Sequence, residues 1–130
     1  MNARRRRILL LHHDEQVLMN LEHILENRGF DTTTTWDSAE ALRIMGARPF
    51  DLLLVGDDSP AVNAGEMLRQ MQYSRINAPC IVLRSKPDRF AEDYLYSLGA
   101  LDVMTGWVEQ DVAKRLEQHF AARTRAATAG

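Results

Sequence analysis

Short, uninterrupted apolar runs alternate along this chain with segments whose apolar residues recur every three or four positions, a pattern that predicts five strand–helix units. The first run is Ile8-Leu9-Leu10-Leu11, continuous enough for a strand covered on both faces in a parallel sheet. Over residues 15–28, Val17, Leu18, Leu21, Ile24 and Leu25 share one helical face; Asp14 can cap the start and Gly29 can end it. The threonine-rich run 30–35 predicts a second strand. Asp37, with Glu40 three residues later, offers a capping-box-like start to a helix through Met45. A third strand over 52–55 runs into Gly56-Asp57-Asp58-Ser59-Pro60, a loop signal ahead of a helix over 64–73. The fourth unit has a strand over 79–83, a loop over 84–87 and a helix over 88–98 stopped by Gly99. The fifth has a strand over 101–104 and a helix carrying Val108, Val112, Leu116 and Phe120 on one face.

Five such units with short connections predict an α/β domain: an open parallel sheet with helices on both faces, in three layers. No tandem repeat points to a solenoid. In a doubly wound sheet, ligand chemistry belongs at the carboxyl ends of the strands, where strand order reverses. The residues just after each strand are therefore the candidates. One domain over 1–123 is expected, with the small, polar segment 124–130 read as a flexible tail or the start of a linker.

Composition changes this picture little. At 130 residues, 45% hydrophobic and 26% charged, the chain fits a single globular domain. Sixteen Lys plus Arg against eighteen Asp plus Glu give a net charge of -2, so neither nucleic acid nor an anionic membrane is an expected partner. Arg4 to Arg7 form a basic run, but no recognition helix or interleaved aromatics accompany it. The apolar stretch after it ends at Leu11, too short for a signal core or a membrane span, and the cytoplasm is the default location. A lone cysteine, Cys80, lies inside an apolar run and reads as a buried, inert thiol.

Ile8-Leu9-Leu10-Leu11 with its helix, Asp51-Leu52-Leu53-Leu54-Val55 with Pro60 downstream, and Leu98-Gly99-Ala100-Leu101-Asp102 at a helix-to-strand turn together resemble the receiver domains of bacterial response regulators. The resemblance spans about residues 7–120. It implies a flavodoxin-like (βα)5 sandwich with strand order 2-1-3-4-5. It also implies a phosphorylation site built from two acids after the first strand, an aspartate nucleophile ending the third, Ser or Thr ending the fourth and Lys ending the fifth. Oxygen ligands would hold Mg²⁺, the carboxylate would attack phosphorus, and Lys and the hydroxyl would neutralise the phosphoryl oxygens.

Laid on that pattern, the acidic pair falls on His12 and His13, followed by Asp14; the nucleophile falls on Gly56, the Ser/Thr on Arg84, and the Lys on Gly106, preceded by Thr105. Every key position departs. Imidazole is a poor ligand for Mg²⁺, glycine carries no nucleophile, and Arg84 is a bulky cation where phosphate would dock. The expectation is a degenerate, non-enzymatic pseudo-receiver in a two-component-type pathway, with no cofactor and a lost Mg²⁺ site, acting through protein contact.

Asp57 is the alternative acceptor, displaced by one residue, but alternation along a strand end turns its carboxylate from the pocket. His12 and His13 invite a transition-metal reading that the same alternation opposes. Arg84 either pairs with Asp57, Asp58 or Asp14 and locks one conformation, or points to solvent. Phe90, Tyr94 and Leu98 are expected in the core. That leaves Tyr96 and Trp107 as exposed anchors for a protein partner or a second copy, on the face made by the fourth helix, fifth strand and fifth helix, where receivers commonly dimerise. A further alternative is a regulatory domain of a larger protein with an output domain.

Overall fold

The computed structural model describes residues 4–129, with side chains described through residue 125. Its elements run β1 (Arg7–Leu11), α1 (Glu15–Asn27), β2 (Asp31–Thr35), α2 (Ser38–Ala47), β3 (Leu52–Gly56), α3 (Ala64–Tyr73), β4 (Cys80–Arg84), α4 (Arg89–Ser97), β5 (Asp102–Thr105) and α5 (Glu109–Ala129). All neighbouring strands are parallel, in the order β2-β1-β3-β4-β5. This is the flavodoxin-like arrangement the resemblance implies.

The pleat divides the core in two. Leu9, Leu11, Leu53, Val55, Val82 and Val103 face α2, α3 and α4, where Met45, Met67, Leu68, Met71 and Leu95 meet them. Ile8, Leu10, Leu52, Leu54, Ile81, Leu83 and Met104 face α1 and α5, against Leu21, Leu25, Val112, Leu116 and Phe120. Continuous apolar runs are thus accounted for residue by residue, since successive side chains enter opposite layers. Full burial of each Leu or Ile stabilises the fold by roughly 1.5–3 kcal/mol.

Helix starts follow local chemistry. Asp14 Oδ1 accepts N–H groups of Gln16 and Val17, Asp37 that of Ala39, Asn63 that of Glu66, and Asp88 those of Phe90 and Ala91. Gly29 closes α1 with its N–H donating to Glu26 while Phe30 N–H reaches Leu25, the paired bonds of a Schellman motif.

Four expectations are corrected. Phe90 is 90% exposed and Tyr94 44%, so neither is core. Leu95 is the buried residue of α4. At 100° per residue, a helix that turns Leu95 inward swings Tyr94 about a quarter-turn aside and Phe90 still further. Trp107 packs partly buried against the α1–α5 layer, so its indole is not a free anchor. Finally, the segment expected as a tail continues α5 to Ala129, and Val108 precedes that helix with its side chain exposed; Gly130 lies outside the described residues.

The basic N-terminus is tied down locally. Arg4 pairs with Asp51 at 2.9 Å, Arg7 N–H donates to the same carboxylate at 2.7 Å, and the Arg6 guanidinium sits 4.9 Å from the Phe120 ring centroid. Burial pushes the Cys80 thiol up to about 12. Among the described residues, no helix is long and apolar enough to cross a membrane.

Candidate functional site

At the carboxyl end of the sheet, the loops after β1, β3, β4 and β5 converge on one cleft. His12, His13, Asp14 and Val17 line one side; Asp58, Ser85, Gly106 and Trp107 line the other. The parallel register explains the convergence, because Val55 pairs with Leu11 and Val82, and Arg84 with Thr105, so the four strands end nearly level.

His12 continues β1 beyond its last residue. Its N–H donates to the Thr35 carbonyl at 3.2 Å, and its ring is buried, stacked on His13 with centroids 4.6 Å apart and edge-on to Trp107 at 6.5 Å. Asp14 N–H donates to His12 Nδ1 at 3.0 Å, which puts the proton of the neutral ring on Nε2. Burial, and then the neighbouring His13, push the imidazole below its ordinary range, against the opposing pull of Asp58 and Asp14. Directly beneath lies Gly56, where an added Cβ would stand 2.2 Å from His12 Cδ2.

The two aspartates after Gly56 part company. Asp57 N–H donates to the Leu83 carbonyl at 2.9 Å; one carboxylate oxygen accepts Ala64 N–H at 3.0 Å and the other takes the Arg84 guanidinium. Both side chains of that pair are 17% exposed. Asp58 instead lies on the cleft, and its Oδ1 accepts Ser85 N–H at 2.7 Å. Consecutive acids thus hold consecutive residues, Arg84 at the end of β4 and Ser85 just after it. Arg84 Nε is buried without a hydrogen-bond partner.

Of the residues singled out from sequence, His12, His13, Asp14 and Gly106 come together in the cleft, with Gly56 under it. Asp57 and Arg84 form a pair beside it, and Thr105 belongs to a neighbouring groove along β5 and α5. Gly106 has φ +56, a backbone that favours glycine, and a Cβ there would meet nothing within 4 Å. The position that would carry Lys is therefore open space.

Sequence reasoning missed Asp58 and Ser85 as a pair, and it used Asp102 only as part of a helix-to-strand turn, not as a buried carboxylate with partners. Asp102 is buried at the start of β5, where Tyr96 Oη donates to it at 3.2 Å, His119 Nε2 lies at 2.9 Å, and Arg115 forms an ion pair with it. Tyr96 Oη also accepts Val103 N–H at 3.0 Å. Burial pushes the Asp102 carboxyl up, but the hydrogen bonds from His119 and Arg115, with the Arg115 charge, outweigh it and hold the group below its usual range. Burial likewise pushes the Tyr96 phenol up. An acid set in an apolar strand run was the signal available, since a buried carboxylate demands partners.

No protein-family model matches the chain. Among curated proteins it is 28% identical over 100 residues to the alkaline phosphatase synthesis transcriptional regulatory protein PhoP of Bacillus subtilis, covering 77% of this chain and 42% of that one. It is 26% identical over 99 residues to the cell cycle transcriptional regulator CtrA of Caulobacter vibrioides, covering 76% and 43%. The chain spans less than half the length of these relatives. Among solved structures, the CheY-like response regulator receiver domain protein of Methanospirillum hungatei superposes with a TM-score of 0.84 at 18% identity, covering 95% of this chain and 99% of that one. Strand order, the position of the cleft and the comparisons converge: this chain has the fold of CheY-like response-regulator receiver domains and is similar in sequence to these curated bacterial regulators.

Proposed function

We propose that this receiver domain works without aspartyl phosphorylation, as a pseudo-receiver that signals through protein contact. The observation that carries the reading is the fate of the acids after β3: residue 56 has no side chain, and the next carboxylate, Asp57, is held by Ala64 N–H and Arg84 outside the cleft. An acceptor must present a free oxygen in line with the phosphodonor, and an oxygen already paired with a guanidinium is a poor nucleophile.

The residues present do not fit Mg²⁺. Where the site needs hard oxygen ligands, β1 supplies two imidazoles; Asp14 Oδ1 caps α1 and Asp58 Oδ1 holds Ser85 N–H. A transition metal is disfavoured at His12, because the Asp14 N–H bond to Nδ1 leaves Nε2 protonated, with no lone pair for the ion. We accordingly assign no cofactor and no enzymatic activity, and a cytoplasmic location.

The contact surface is the α4–β5–α5 face, used for a protein partner or a second copy. Tyr96, 45% exposed, presents its ring there while its hydroxyl is fixed on Asp102 and Val103. A rigid aromatic with its polar end already satisfied loses little entropy on docking. No nucleic-acid partner is assigned; the pairing of Arg4 with Asp51 and of Arg7 with Asp31 supports that reading.

Intact-mass measurement after incubation with acetyl phosphate and Mg²⁺ tests the reading. The expected result is no adduct; one phosphate on Asp57 would overturn it and establish the displaced acceptor. A second reading, favoured by matches covering less than half of two proteins named transcriptional regulators, makes this domain the regulatory part of a larger protein with an output domain. The length of the natural reading frame decides it.

A further inference from the structure

We infer that His12 is an intramolecular plug: its imidazole, delivered from β1, occupies the volume that a side chain at residue 56 would fill, so the pocket holds a resident group in place of an acceptor. The inference deepens the proposal of a non-phosphorylated site and rests on it.

Gly56 supplies the first argument. Glycine inside a strand costs roughly 0.5–1 kcal/mol relative to alanine and often marks a close approach. Gly56 is not among the glycines with positive φ, which are Gly29, Gly99 and Gly106, so its backbone does not ask for glycine. What does ask is His12, whose Cδ2, Nε2 and Cγ would lie 2.2, 2.8 and 3.0 Å from a Cβ at 56. These are side-chain atoms of one rigid ring, and that ring cannot easily move. Its Nδ1 accepts Asp14 N–H, its face is stacked on His13, and Trp107 stands at its edge. Any residue larger than glycine at 56, an aspartate included, must therefore displace a ring held on three sides.

The plug also links the loops a receiver uses. Asp14, His13 and Trp107 belong to the loops after β1 and β5, and Gly56 leads into Asp57 and Asp58, which hold Arg84 and Ser85. A ring wedged among them keeps these loops in one arrangement with no incoming group. His12 is thus a positioning residue.

The test is a thermal cycle on the whole domain with Gly56→Ala, His12→Ala and the double variant. Gly56→Ala should lower the melting temperature by about 5 °C or more in the native background, and by much less, or not at all, beside His12→Ala. Equal losses in both backgrounds, including loss of the fold in both, overturn the plug. His12→Ala alone should speed amide exchange of Ser85 and Gly106 by about tenfold or more over that of Leu54, the order expected for releasing a local contact; uniform change across all three overturns the positioning role. A phosphate adduct on Asp57 of the native protein would defeat the proposed function without altering the thermal cycle, so the two failures are distinguishable.

Discussion

The Asp57 carboxylate joins three elements by pairing with Arg84 at the end of β4 and accepting Ala64 N–H at the start of α3, while its own backbone leaves the end of β3. Both partners of the ion pair are mostly shielded, which separates it from the exposed pairs Arg43–Glu40 and Arg69–Glu66. Exposed pairs contribute about 0–1 kcal/mol, whereas stripping one partner from a shielded pair leaves the other charge without compensation.

Replacement of Arg84 by Ala should therefore destabilise the domain by about 2 kcal/mol, with the loss read as a lower urea midpoint at unchanged slope. Arg84→Ala combined with Asp57→Ala should cost less than the sum of the single changes. Strict additivity would show that the pair does not hold the loops.

His12 makes stability depend on pH in a defined window. Its folded-state pKa lies below the unfolded value of 6.5, so the neutral ring is favoured by folding. This contribution is fully present above about pH 6.5 and is lost as pH falls through the folded value, because the unfolded chain binds the proton first. Urea midpoints measured from pH 7.5 to 5 should decline, and His12→Gln should flatten the decline. NMR titration of the ring should show the lowered value directly.

Asp102 acts lower on the pH scale and through a different mechanism. Its folded pKa is below 3.8, so its contribution is present above that value and disappears as pH falls through the folded one. Asp102→Ala should cost about 2–3 kcal/mol by leaving Tyr96, Arg115 and His119 without their common acceptor. Tyr96→Phe, which removes one hydroxyl bonded to both Asp102 and Val103, should cost about 1 kcal/mol. Chemical denaturation of both variants checks the order; a larger loss for Tyr96→Phe would contradict the assignment of Asp102 as the hub.

The architecture was legible in the chain because its signals are local. Continuous runs such as Leu52-Leu53-Leu54-Val55 can be buried on both faces only in a covered parallel sheet, and Asp14, Asp37 and Asp88 cap the helices that follow them. That residue 56 carries no nucleophile was legible too, since glycine has no side chain to offer in any fold. Residue identity and spacing alone carry such facts.

Other features needed the folded molecule. Whether Asp57 or Asp58 faces the cleft depends on how β3 ends against Leu83, and which face α4 buries depends on Leu95 meeting the sheet, which turns Phe90 and Tyr94 outward. The contact of His12 with Gly56 joins residues 44 positions apart, and Asp102 draws its partners from α4 and α5. Sequence by itself determined which elements form and which chemical groups each strand end has to offer. Tertiary packing decided where the remaining side chains point, because helix rotation and ring placement are set by neighbours distant along the chain.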